Sequence, residues 1–159
     1  MISIDKLYSM AQALGIKVVF KNLNKYHSGL LGMAGAEIKT ISLDRSLLKN
    51  LRQLKCVLTE EIGHIIHSPR PGHIRYHSEN FYQTENYSMI KNTVAQDERR
   101  ALDWATGVLL GNVDFDRIKA VGTSSVGQLA EYFDVEPWFM EHRIGYLRRK
   151  AWDTGQKVR

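Results

Sequence analysis

Residues 3 to 14 place Ile4, Leu7, Tyr8, Ala11 and Leu14 at helical spacing, and Gly15 follows as a C-terminal stop. The spacing predicts a first helix that ends there. The stretch "IKVVF" at 16 to 20 is short and β-branched. Residues 29 to 44 carry glycine punctuation and then alternation from Glu37 to Leu43, so a small antiparallel sheet is expected. A long helix is predicted over about 46 to 67, where Leu47, Leu51, Leu54, Leu58, Ile62 and Ile65 form one stripe. The prolines of "SPRPGH" make a loop, and the polar segment 73 to 87 reads as a covering loop. Further helices are predicted over about 88 to 110, 114 to 121, 125 to 133 and 137 to 151. A helix, a small sheet and then a run of helices is an α+β order.

The chain has 159 residues, which suits one compact unit with a real core. Within it, residues 1 to 112 are expected to form the main domain and 113 to 159 a helical extension packed on it. The 43% hydrophobic and 25% charged shares are those of a globular chain and argue against a disordered or fibrous one. No apolar run approaches the roughly 20 residues of a membrane span, and "MISIDKLYSMAQALG" lacks a signal-peptide apolar block, so a cytoplasmic protein is expected. The single cysteine, Cys56, agrees with a reducing compartment and reads as a small buried thiol. The net charge of +5 raises the question of nucleic acid, but much of the excess sits at the end, in Arg143, Arg148, Arg149, Lys150, Lys157 and Arg159. A solvated basic tail accounts for it.

The long helix carries "VLTEEIGHIIH" at 57 to 67, which is the H-E-x-x-H pattern with Glu60 in place of the first histidine. Glu60 and His64, four residues apart, stack on one helical face, a geometry that permits two ligands to one metal ion. Glu61 is rotated about 100° from Glu60 and borders the apolar stripe, where a carboxylate held off solvent can serve as a base beside the metal. The alternative is a charged face turned to water. That face reads Cys56, Glu60, Gly63, His64, His67, which is poor solvent dressing. Gly63 in mid-helix costs on the order of 1 kcal/mol relative to alanine, so another element is expected to approach closely there.

A third ligand must come from elsewhere. In "NTVAQDERRALDWATGVLL", Glu98 shares an inward face with Val94, Ala101, Ala105 and Leu109, while Asp97, Arg99 and Arg100 lie off it. A lone carboxylate in such a stripe needs a cation or hydrogen-bond partners. A metal satisfies it, as does a salt bridge to Arg70, Arg75 or another base. His73 and His77 are given ordinary loop roles.

The combination of "CVLTEEIGHIIH", "QDERRALDWA" and "VGQLAEYFDVEPWFMEHRIGYLRRK" resembles the ImmA/IrrE metallopeptidases, and closely their phage and prophage branch, from about Gly29 to Lys150. Many members of that branch write E-E-x-G-H for H-E-x-G-H and place an acid in E-x-x-A-x-x-W-A, here Glu98, Ala101, Trp104 and Ala105. The resemblance implies a zincin-like active-site helix, Glu60, His64 and Glu98 as metal ligands, and Glu61 as general base. In cellular members the third acid directly precedes the alanine, where this chain has Arg100, so Glu98 rests on the branch pattern and the helical face. The implied activity is a metal-dependent endopeptidase that relieves a helix-turn-helix repressor or similar regulator of a phage or mobile element by cleavage. Two carboxylates and one imidazole leave a Zn²⁺ centre formally neutral. Weak zinc binding and a shift toward harder metals such as manganese are therefore expected.

Two other functions fit the same residues. A module could keep this fold, bind a regulator and cut nothing. Alternatively, Leu129, Ala130, Phe133 and Val135 are spaced like a helix-turn-helix core, which suggests DNA binding. The exposed start of that second helix offers Glu136, Pro137 and Glu141, and acids facing phosphate argue against it.

Overall fold

The computed structural model describes the backbone of residues 1–67, 74–78 and 88–157, and the side chains of 1–67 and 95–155. The first helix, α1 (Ile4–Ala13), starts where the Ser3 hydroxyl accepts from the Lys6 N–H at 3.3 Å. It stops at Gly15, whose φ of 72° suits glycine. Three strands follow, β1 (Lys17–Lys21), β2 (Leu30–Gly35) and β3 (Thr40–Asp44), and then α2 (Leu51–Ile66). A further strand, β4 (Ile74–Ser78), precedes α3 (Ser88–Leu110), α4 (Phe115–Val121), α5 (Val126–Tyr132) and α6 (Pro137–Lys157). The fold is α+β, as the hydrophobic pattern indicates.

The four strands lie in the order β1-β3-β2-β4. The expectation of an antiparallel sheet needs correction, because the sheet is mixed. β2 is antiparallel to both β3 and β4, but β1 pairs with β3 in parallel, Lys17 opposite Thr40 through Lys21 opposite Asp44. Two chain reversals separate β1 from β3, so placing them side by side makes them run the same way. Alternation of side chains reveals a strand but not its neighbour.

Two further expectations change. The helix predicted from about 46 begins at Leu51, because Asn50 interrupts it and its side chain accepts from the Gln53 N–H at 3.1 Å. Arg45–Lys49 forms a separate 3-10 helix, capped by Asp44 through the Ser46 N–H at 3.0 Å. Leu47 is still buried, whereas Leu51 leaves the stripe and is 62% exposed. The segment read as a covering loop contains β4. The rest of it, like the "SPRPGH" loop, lies outside the described residues, as do the side chains of Arg70, His73, Arg75, His77, Val94, Lys157 and Arg159.

α2 is the middle layer, packed by β2 on one side and α3 on the other. Every residue from Leu54 to His64 is consequently buried. Leu54, Leu58 and Ile62 join Ile41 and Leu43 of β3 and Leu110 of α3 in one core. Leu129 and Ala130 of α5, Phe139 and Met140 of α6, and Phe133 and Val135 of the turn between them belong to that same core. Arg143, expected in the solvated tail, is instead 6% exposed, and its guanidinium donates to the carbonyls of Gly111 and Val113 at 3.2–3.3 Å. It satisfies carbonyls at the corner that follows α3. Arg148 and Lys150 are exposed, as expected of the tail. Cys56 is a buried free thiol, with its sulfur accepting from the Glu136 N–H at 3.4 Å. No helix among the described residues is long and apolar enough to cross a membrane.

Candidate metal centre

The site is built where α2 meets α3. Gly63 brings the two helices together, since a Cβ at that position would stand 2.7 Å from the Ala101 carbonyl oxygen and 3.2 Å from Trp104 Cε3. This is the close approach that a mid-helix glycine implies. One residue further along α2, His64 turns its Nε2 to within 3.3 Å of Glu98 Oε2 and 3.8 Å of Glu60 Oε1. Glu60, His64 and Glu98 are 2%, 5% and 8% exposed, and their ligand atoms all lie within 4.8 Å of one another. The three are close enough to bind one metal ion.

The donor set fits a divalent cation on two observations. Ligands at roughly 2.0–2.2 Å from a tetrahedral ion stand about 3.3–3.6 Å from each other, which the His64 contacts approach without a change of fold. Among the described residues, His64 Nε2 and Glu98 Oε1 are buried with no aligned hydrogen bond. The His64 contacts are therefore charge pairings without hydrogen-bond geometry, which an ion between the groups would resolve. Among the described residues three side chains offer ligand atoms, the number that catalytic sites with an open coordination position take from the protein.

Burial disfavours the charged imidazole of His64. The Glu60 and Glu98 carboxylates, with Glu61 nearby, more than reverse that and hold its pKa well above the ordinary value. Concentrated negative charge of this kind attracts any cation, whether proton or metal. Glu61 itself is fully buried, turned toward β2 with its carboxylate beside Gly32.

Glu60, Glu61, His64 and Glu98 are thus all inward, and the solvated-face alternative for α2 does not apply. Ala101, Ala105 and Leu109 are buried with Glu98, while Arg99 and Arg100 are exposed. Asp97, expected off this face, is also buried at 4% exposure. α3 packs against α6 as well as α2, and that widens its buried arc beyond one stripe. His67 stays outside the three-residue group, half-buried with its ring 6.4 Å from that of Trp104. Comparison with protein-family models, curated proteins and solved structures returned no match.

Proposed function

We propose that the chain is a metal-dependent endopeptidase of the ImmA/IrrE type with a zincin-like active-site helix, working in the cytoplasm. Its target on this reading is a helix-turn-helix repressor or similar regulator of a phage or mobile element, relieved by cleavage. One observation carries the reading: the buried convergence of Glu60, His64 and Glu98, with Glu61 one residue from a ligand. The motif resemblance supplies the reaction class.

Glu60, His64 and Glu98 would hold the ion, zinc or a harder metal such as manganese. When bound, it supplies Lewis acidity that activates water and polarises a carbonyl. Glu61 takes the proton of the attacking water and returns it to the leaving amine of the cut peptide bond. Its full burial removes competing solvent from that carboxylate, and its place on α2 keeps it a fixed distance from both helical ligands.

The test is elemental analysis of purified, untagged protein offered zinc or manganese, beside Glu60→Ala, His64→Ala and Glu98→Ala. The expected result is about one metal per chain in the parent and a loss in all three variants. Glu61→Gln is expected to keep the metal and lose peptide cleavage. A parent that takes up neither metal while folding normally would remove the site.

A further inference from the structure

The strand facing the proposed base is irregular at one point. Along β2, Leu30 pairs with Ser78 of β4 and Gly32 pairs with His77, so two residues of β2 advance for one of β4 and the register shifts between Leu30 and Gly32. Bulges re-aim a strand, and a glycine inside a strand marks a place where something approaches the backbone. What approaches Gly32 is Glu61. A Cβ at position 32 would lie 2.5 Å from Glu61 Oε1, 3.1 Å from Glu61 Cδ and 2.9 Å from Val57 Cγ1. The carboxylate and the valine therefore fill the volume that any other residue's side chain would claim. Gly32 needs no special backbone angle, since among the described residues the positive-φ glycines are Gly15, Gly29 and Gly122. Conformational freedom does not explain it. Space for its neighbours does.

The geometry points to Gly32 as a positioning residue for Glu61, a side-chain-free seat on the sheet that fixes where the carboxylate lies relative to His64 and Glu60 on the same helix. The inference rests on the reading of Glu61 as base for its catalytic meaning, while the seat itself is a structural statement. The three atoms nearest to a Cβ at 32 belong to Glu61 and Val57 and to none of the ligand residues, so the seat acts first on the base and not on metal capture. Alanine at 32 pushes the Glu61 carboxylate aside and leaves the three ligand residues where they are. Misplacement of a catalytic group by about 1 Å can cost on the order of 100-fold in rate.

The experiment uses full-length protein carrying [δ-¹³C]glutamate, with the Glu61 signal assigned through Glu61→Gln, and compares the parent with Gly32→Ala and Gly32→Ala/Val57→Ala. The double variant removes the valine methyl contact, so it keeps the seat blocked while relieving the packing clash. The expected result is a displaced Glu61 carboxyl signal in both variants at fixed pH. Glu60 and Glu98 signals and manganese stoichiometry should match the parent. With fluorescein-labelled unfolded casein as probe, kcat should fall by about 100-fold with KM retained. An unmoved Glu61 signal in the double variant overturns the seat. If Glu61→Gln cleaves casein as fast as the parent while the Gly32 variants still move the signal, the base assignment fails and the seat stands.

Discussion

Glu60 concentrates the chemistry that sets this centre apart from one with two histidines. A carboxylate in that place makes the donor set two oxygens and one nitrogen, all buried at a single helix crossing. Harder ions favour oxygen donors and zinc gains from imidazole. Glu60→His is therefore expected to tighten zinc on the order of tenfold and to weaken the preference for manganese. Competition titration of the metal-free parent and variant, zinc against manganese, measures it; unchanged relative affinity would mean that Glu60 does not contact the ion. At this scale much was readable beforehand. Four-residue spacing alone joins Glu60 to His64, and the small residues Ala101 and Ala105 mark the face on which Glu98 sits. Asp97 and Gly32 were not readable. The burial of the first depends on a second helix packing on α3, and the role of the second depends on which helix crosses the sheet above it.

Between elements, the α2–α3 crossing decides whether the ligands meet. Glu60 and His64 come from α2 and Glu98 from α3, so a small separation of the helices takes one ligand out of reach. Gly63 sets that separation. An alanine there would gain up to about 1 kcal/mol of helix propensity, yet its methyl meets a backbone carbonyl at 2.7 Å, which cannot rotate away. Overpacking of that kind costs about 1–3 kcal/mol. Gly63→Ala is expected to lose about 1–2 kcal/mol net in urea unfolding and to bind manganese more weakly than the parent. A stabilised variant with unchanged metal affinity would mean that the helices do not touch at this glycine. The hydrophobic period placed α1, α3, α4 and α5 well, but it stopped α6 at about 151 where the helix runs on to Lys157 through a polar stretch that offers no apolar stripe. It overran the start of α2, since Leu47 keeps the stripe going while Asn50 ends the hydrogen bonding. It also could not find β4, an edge strand in a polar stretch that pairs with β2 through backbone groups, which side-chain pattern does not report.

Across the whole molecule, α6 is held to the α2–α3 layer by buried apolar residues and by one charged cluster. Asp103 of α3 accepts from His142 at 2.6 Å and from Arg149 at 2.7 Å, both on α6. Its partial burial opposes ionisation. The His142 hydrogen bond and the Arg149 charge outweigh this and hold the carboxyl below its ordinary value near 3.8. A carboxyl depressed by folding adds stability above its unfolded pKa and loses it as pH falls through the folded value. The gap between the parent and Asp103→Asn should therefore be open at pH 6 and narrow as pH falls below the ordinary carboxyl value, as Asp103 takes up its proton and becomes uncharged like the asparagine. Arg149 is 40% exposed, so screening limits the gap to on the order of 1 kcal/mol. Asp44 and Asp134 are also held low, and the parent will lose stability in acid for those reasons too. The difference between the two proteins isolates Asp103, because the variant keeps the other carboxyls. Urea unfolding of both proteins from pH 6 down through the acid range reads it directly. Equal stability at pH 6 would mean that α6 is held without this cluster, by the buried Phe139 and Met140 and by the hydrogen bonds of Arg143.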